Sequence, residues 1–194
     1  MCVIAQWVAF KSRPKAEVFG RLGLADLGEP VPFQLTEPAY LELDDGWLVI
    51  VECFPGMETM EWLSEGGWAL AGIVDQASRF SLAQGYQRGQ ACWSVIYEAG
   101  ALPSDLEALG SLPKSFAGIV DRLMDEAAKA RRAGEPVDAP FRIPMDLAWG
   151  ECGFWPDAER MGAPTMIKLK VLPKRATLLR RRMLAVSAAN LFRR

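Results

Sequence analysis

Three side chains on predicted strands could do chemistry without help from a cofactor: Glu52, Asp75 and Tyr97. Glu52 and Asp75 adjoin apolar strand segments, where a carboxylate is costly to bury unless it is paired or exposed. Side-chain alternation places Glu52 on the opposite side of its strand from Val51 and Cys53, which favours an outward-facing position. The three residues are therefore candidates for a small-ligand site or for acid-base chemistry.

The chain contains no histidine. This removes the commonest general base, the Ser-His and Cys-His nucleophile pairs, and most zinc, copper and non-haem iron sites. Two glycine-containing stretches, residues 20–28 and 66–72, lack the spacing of a dinucleotide fingerprint or a P-loop. We therefore expect no cofactor and no metal, and the sequence favours a binding protein over an enzyme.

The four cysteines, Cys2, Cys53, Cys92 and Cys152, form no Cys-x-x-Cys pair and mostly adjoin apolar residues. Free cysteine behaves as a small hydrophobic residue, so reduced buried thiols are expected. No apolar run reaches the roughly 20 residues of a membrane span, and the N-terminus lacks the basic region of a signal peptide. These features predict a cytoplasmic protein without a transmembrane segment.

A second group of residues is suited to binding a protein partner. Asp44 and Asp45 precede Gly46 in a predicted turn, where aspartate is favoured by local backbone hydrogen bonds. Of the seven tryptophans, Trp7, Trp47 and Trp93 lie on predicted strands and are expected in the core. Trp62, Trp68 and Trp155 adjoin glycine, proline or acidic residues, and exposed indoles often anchor interfaces. The partner-binding candidates are Asp44, Asp45, Trp62, Trp68 and Trp155.

Charge is distributed unevenly along the chain. Residues 161–194 hold nine basic residues and no acidic ones, whereas residues 1–160 hold 13 basic and 24 acidic residues, a net charge of −11. A basic helix is predicted over about residues 174–192. We expect it to dock on the acidic body, because the body would repel phosphate and offers the arginines a nearer partner. Nucleic acid or an anionic membrane is the alternative partner of this helix.

The hydrophobic pattern predicts a single α+β domain over residues 1–194. Strands are predicted at 2–10, 40–43, 47–54, 68–74, 78–84, 91–98 and 165–172, mostly as an antiparallel meander, with the last as a half-exposed or edge strand. Short helices are predicted after Pro14, at 57–63 and at 145–149. A long amphipathic helix over about 113–132 is expected to pack on one face of the sheet, and the basic C-terminal helix completes the domain.

Several short segments between about residues 90 and 155 resemble a group of small bacterial cytosolic proteins of unknown function. The segments are Trp93-Ser94-Val95 with Glu98, Gly110 to Phe116 with Leu112-Pro113, Ile143-Pro144 with Asp146-Leu147, and Gly153-Phe154. Some proteins of this general appearance are similar to the immunity proteins that neutralise secreted toxins. The resemblance implies a protein-binding role and assigns no active residues.

These observations lead to one expected function and one alternative from another class. The expected function is a protein-binding module of the immunity type, which covers a basic partner with its acidic surface. The alternative is a small-ligand protein or a histidine-independent enzyme that uses buried carboxylates. A deep pocket holding two of Glu52, Asp75 and Tyr97 would favour the alternative.

Overall fold

A computed structural model describes residues 4–11, 13–53, 55–101, 105–135 and 137–173. The strands are β1 (Ile4–Phe10), β2 (Leu24–Val31), β3 (Ala39–Glu42), β4 (Leu48–Val51), β5 (Trp68–Asp75), β6 (Phe80–Gln87), β7 (Gln90–Glu98), β8 (Leu106–Gly110) and β9 (Met166–Val171). The helices are α1 (Lys15–Leu22), α2 (Met57–Ser64), α3 (Phe116–Arg132), α4 (Ala139–Cys152) and α5 (Ala158–Met161). The prediction of an α+β protein with a large antiparallel sheet is confirmed.

The nine strands form one sheet in the order β2-β9-β3-β4-β1-β5-β6-β7-β8. Strands β5 to β8 follow one another as a meander, and β3 and β4 form the predicted hairpin around the Asp44-Asp45-Gly46 turn. The first strand lies between β4 and β5, so the sheet as a whole is not a simple meander.

Strand β9 does not lie at an edge of the sheet, which corrects the edge alternative predicted from its sequence. It pairs with both β2 and β3. One face of β9 packs against the α1–α2 core along the strand, whereas the other is buried at Met166 and carries the lysines beyond it. Ile167 and Leu169 pack with α1, whereas Lys168 on the other face pairs with Glu37 at 2.9 Å.

Helices cover the sheet on two sides, and each side has its own core. The core on the α1–α2 face includes Phe10, Phe19 and Met60. The core on the α3–α4 face includes Trp7, Trp93 and the apolar side of α4. Alternate residues of each strand enter opposite cores, as a sheet buried on both faces requires.

Helix α4 occupies the position directly on the sheet that was predicted for the long amphipathic helix. It contacts β5, β6 and β7, while α3 packs principally on α4. The physical reason is the distribution of apolar residues. Helix α4 buries Ile143, Met145 and Leu147 on several sides, whereas Leu123 is the buried residue of α3. An amphipathic helix with a narrow apolar stripe is suited to the outer layer.

Two glycines in the sheet make room for the buried indoles. Gly72 lies directly across from Trp7, and Gly85 lies across from Trp93. A Cβ atom at either glycine would overlap the ring of its partner. Glycine is therefore required at these two strand positions because the ring lies against the neighbouring backbone.

The predicted basic C-terminal helix, about residues 174–192, lies outside the described residues. Within the part of the chain that the structure covers, none of the helices is long and apolar enough to cross a membrane.

Candidate functional site: a tryptophan groove

A groove of ≈ 180 Å³ lies where β4 and β5 meet the end of α4. We call it the tryptophan groove, and it is lined by Lys11, Trp47, Trp68, Leu70 and Glu151. Trp47 and Leu70 belong to the α3–α4 core, whereas the side chain of Trp68 is 38% exposed. The groove therefore has an apolar floor and one indole that a binding partner can reach.

Lys11 holds the rim of the groove in place through three interactions. Its ammonium group lies 3.2 Å from the carboxylate of Asp45 and 5.0 Å from the centre of the Trp47 ring. Its backbone N–H donates to the carbonyl of Trp68 at 3.1 Å. One residue thus joins the turn after β3 to the start of β5.

The rim carries more negative than positive charge. Asp45 and Glu151 accompany one cation, Lys11, at the groove, which gives these three residues a net charge of −1. Glu151 also accepts a 3.3 Å hydrogen bond from the hydroxyl of Ser115. Apolar contact area beside uncompensated carboxylates suits a cationic side chain with an aliphatic stem.

Cys152 lies beneath this rim and is buried. Burial raises the pKa of its thiol to about 12, the carboxylates of Asp45 and Glu151 raise it further, and hydrogen bonding to Phe154 and the charge of Lys11 act in the opposite direction. The group is a protonated thiol at neutral pH, so it is neither a nucleophile nor a metal ligand there.

A second polar region, the arginine cluster, lies between α3, α4 and α5. Its centre is Asp146, whose side chain is 1% exposed. Arg122 contacts this carboxylate at 2.7 Å, Arg160 at 3.2 Å and Arg142 at 3.5 Å. Glu126 adds contacts of 2.9 Å to Arg122 and 3.1 Å to Arg142. The cluster ties the two outer helices to α4.

Arg160 extends this cluster to the surface. Its guanidinium lies 3.8 Å from the ring centres of both Trp149 and Trp155, and these rings meet edge to face at 6.2 Å. Trp155, a predicted partner residue, is therefore already engaged by a cation of its own chain. Trp149 is 40% exposed.

Trp62, another predicted partner residue, lies on α2 and thus on the opposite face of the sheet. Its ring is flanked by Arg13 at 4.6 Å and Arg21 at 5.3 Å. It is partly buried and packs against the α1–α2 core. Trp62 is thus separated by the sheet from the tryptophan groove.

Glu52 and Asp75 are held by their own neighbours. Glu52 is half-buried at the end of β4 with a φ of 53°, and burial raises the pKa of its carboxyl against the opposing effect of hydrogen bonds from Gln6. Asp75 accepts a 2.7 Å hydrogen bond from the Ser78 hydroxyl and a 2.9 Å bond from the Ala77 N–H. Burial opposes these bonds, which together lower the pKa of Asp75.

Tyr97 lies on the other face of the sheet. Its ring meets Phe141 of α4 edge to face, and its hydroxyl donates to Asp138 at 3.0 Å. Arg79 contacts the same carboxylate. Burial raises the pKa of Tyr97, and the hydrogen bond to Asp138 raises it further. The sheet separates Tyr97 from Glu52 and Asp75, so these three candidates share no site.

The structure thus brings together Asp45 and Trp68 of the predicted partner residues, and Asp44 is exposed in the turn beside Asp45. It adds Lys11 and Glu151, which the sequence analysis did not identify. Nothing in the sequence marks Glu151, because its position beside β4 and β5 depends on how α4 crosses the sheet. Within the described ranges, no group of three or more acidic or cysteine side chains is placed to hold a metal ion.

Comparisons with protein-family models, curated proteins and solved structures found no match. The function is therefore argued from the geometry of the chain itself.

Proposed function

We propose that the protein is a protein-binding module of the immunity type, which neutralises a basic partner through the acidic surface around the tryptophan groove. The observation that carries this proposal is the exposed Trp68 beside an apolar floor and a rim on which Asp45 and Glu151 outnumber Lys11. Binding energy in protein interfaces is concentrated in such aromatic residues at the edge of a pocket.

The charge balance of the body supports a basic partner. Residues 1–160 carry a net charge of −11, and seven of their 13 basic residues are already in ion pairs, namely Lys11, Arg13, Lys15, Arg79, Arg122, Arg142 and Arg160. The surplus carboxylates face outward. Complementary charge accelerates encounter and selects the partner.

The groove itself fits one long cationic side chain of that partner. An arginine or lysine stem would lie against Trp68 and Leu70, and its charge would reach Glu151. Stacking of a cation on an indole contributes about 0.5–1 kcal/mol at an exposed site. The surrounding carboxylates would then set the register of the larger interface.

The alternative, a small-ligand protein or enzyme using Glu52, Asp75 and Tyr97, lacks a shared site for these residues. Trp62 and Trp155, which are flanked by arginines, lie outside the proposed interface. A cytoplasmic location is part of the proposal, and it is supported by the free thiols of Cys53, Cys92 and Cys152.

The test uses the full chain as bait in an extract of its host, with two matched variants. Trp68→Ser removes the exposed indole of the groove, and Trp149→Ser removes an indole of similar exposure elsewhere, 40% against 38%. We expect a basic protein to be recovered in stoichiometric amount by the native chain and by Trp149→Ser. Trp68→Ser should lose most of it, since an aromatic anchor contributes about 2 kcal/mol or more.

The same experiment at raised salt gives a second readout, because rim charges act mainly through association. Recovery should fall with salt in the native chain. A partner bound equally by Trp68→Ser, or no stoichiometric protein partner at all, would refute the proposal.

A further inference from the structure

A strip of the α1–α2 face is buried without belonging to the core that α1 and α2 form. We call it the Leu82–Ile96 strip, and it consists of the half-buried Ile73 and the buried Leu82, Gln84, Ser94 and Ile96. Ile73, Leu82 and Ile96 lie directly across from one another on β5, β6 and β7. Leu82 and Ser94 are 0% exposed, Gln84 3% and Ile96 6%.

Neighbours on the same sheet face cannot hide these side chains, because they cover the flanks of a side chain and leave its tip open. A sheet face loses contact with water only when another layer packs on it about 10 Å away. The core under α1 and α2 includes Ala69, Ala71 and Tyr86 but neither Leu82 nor Ile96. Helix α2 also contacts β5, β6 and β7, but Leu82 and Ile96 lie outside the core that it forms, which leaves them for a further segment of the chain.

We propose that the C-terminal segment, residues 174–194, docks on the Leu82–Ile96 strip. The place where the described chain ends supports this assignment. One row of directly paired residues crosses the sheet from β9 to β7. Its members, in order, are Lys168, Ala39, Val51, Trp7, Gly72, Ala83 and Val95. Val171, Leu82 and Ile96 all lie on the same side of this row, toward one end of the strands. The segment therefore starts at the end of the sheet to which Leu82 and Ile96 are displaced.

The length of the segment is sufficient for the distance. Strand β9 is second in the sheet and β6 and β7 are seventh and eighth, which corresponds to roughly 24–29 Å at the usual strand spacing. The segment has 21 residues, which span about 30 Å even at the short rise of a helix. The distance is therefore within the reach of a segment of this length.

Composition and charge match as well. The segment offers Leu178, Leu179, Met183, Leu184, Val186, Leu191 and Phe192 as apolar side chains, with seven basic residues and no acidic ones. Acidic residues surround the strip at Glu52, Asp75, Glu98 and Glu107. None of these four is in an ion pair with another described residue. An apolar strip with an acidic border suits a segment that is both apolar and basic.

This docking is independent of the proposed function, because the strip and the tryptophan groove lie on opposite faces of the sheet. It assigns the basic segment to its own chain, not to nucleic acid or to a membrane. It also leaves the acidic rim of the groove free for a separate partner.

The direct test is a methyl NOESY spectrum of the full-length protein with labelled Leu, Ile, Val and Met side chains. Leu82 and Ile96 should give NOEs to residues 174–194. Ile50, which is 0% exposed within the α1–α2 core, is the matched control and should give none to that segment. NOEs from Leu82 and Ile96 only to residues before 174, including Phe54 and residues 102–104, would overturn the proposal.

A second measurement tests the role of charge with variants that remove equal numbers of carboxylates. Trypsin should cleave after Arg180–Arg182 about fivefold faster in Glu98→Gln/Glu107→Gln than in the native chain, because two exposed ion pairs hold the segment. Asp121→Asn/Asp125→Asn on α3 should leave the rate unchanged. Equal rates in both variants would contradict the charge complementarity.

Discussion

The arginine cluster lies at the middle of α4 and the tryptophan groove at its C-terminal end. Both are polar regions, yet they differ in how far their charges are neutralised. In the cluster, the 1% exposed carboxylate of Asp146 is met by three arginines. In the groove, Asp45 and Glu151 are accompanied by one lysine, Lys11, beside an exposed indole. A region whose charges are already matched stabilises the fold, whereas one with unmatched charges and open apolar surface is suited to a partner.

The largest expected effect is loss of stability when the centre of the arginine cluster is neutralised. Asp146→Asn should lower the free energy of unfolding by about 2–3 kcal/mol, because three guanidinium groups lose a charged hydrogen-bond partner. Glu126→Gln is the control, since this carboxylate also contacts Arg122 and Arg142 but is 41% exposed. It should cost less than about 1 kcal/mol. Urea denaturation measures both variants. If Asp146→Asn and Glu126→Gln lost the same free energy of unfolding, burial of the carboxylate would not determine its contribution to the cluster.

The next largest effect is expected on the affinity for the basic partner when Lys11, the cation of the groove, is removed. Lys11→Met keeps the apolar stem over Trp47 but releases Asp45, so the rim becomes more negative. Affinity for the basic partner should rise by about fivefold to tenfold, because the partner no longer competes with Lys11. Isothermal titration calorimetry with the captured partner measures this. Weaker binding by Lys11→Met would show that the lysine itself contacts the partner.

The groove should matter little for folding. Trp68→Ser is expected to change the free energy of unfolding by less than about 1 kcal/mol, because the side chain is 38% exposed and the floor of Trp47 and Leu70 stays in place. Thermal unfolding monitored by circular dichroism gives the value. A loss as large as that for Asp146→Asn would place Trp68 in the core and not in a binding site.

Glu52 provides the smallest and most specific test of the same contrast, since it is a half-buried carboxylate that forms no ion pair with another described residue. Burial raises its pKa in the folded state above the unfolded value of 4.5, so the native state binds the proton more tightly. Its contribution to stability is present below that unfolded pKa and is lost as pH rises through the folded pKa. Glu52→Gln should therefore be more stable than the native chain at neutral pH and equal to it at low pH. Stability curves of the two proteins that stay parallel across this range would contradict this.

The elements with a clear local signal could be predicted from the sequence. Two local features are the Asp-Asp-Gly turn and Pro14. The turn lies between β3 and β4 in the structure, and Pro14 directly precedes α1, as predicted. Strands β2 and β8 were missed, since β2 contains Gly28 and Pro30 and is mostly exposed, and both lie at the edges of the sheet. Residues 85–90 were predicted as a loop because Gly85 and Gly89 resemble turn signals, but β6 continues to Gln87 and Gly85 accommodates Trp93 within it.

The candidate site was predictable only in part. Asp45 and Trp68 are recognisable as turn and boundary residues, and both lie at the groove. Their partners Lys11 and Glu151 come from segments 140 residues apart in sequence, and only the crossing of α4 over β5 brings them together. Asp146 lies in a short apolar segment that resembles core, and its three arginines come from α3, α4 and α5. Contacts of this kind depend on tertiary packing, which local pattern does not encode.

The claim that the groove binds a cationic side chain is tested most directly by NMR of the tryptophan indole N–H groups. The full-length protein is titrated with N-acetyl-arginine methylamide, with N-acetyl-glutamine methylamide as the uncharged control, at concentrations that detect a Kd of about 1–10 mM. The resonances of Trp47 and Trp68 should shift and saturate with the arginine compound alone, while that of Trp149 stays in place. Shifts at Trp149 instead, or no difference between the two compounds at Trp68, would contradict the account.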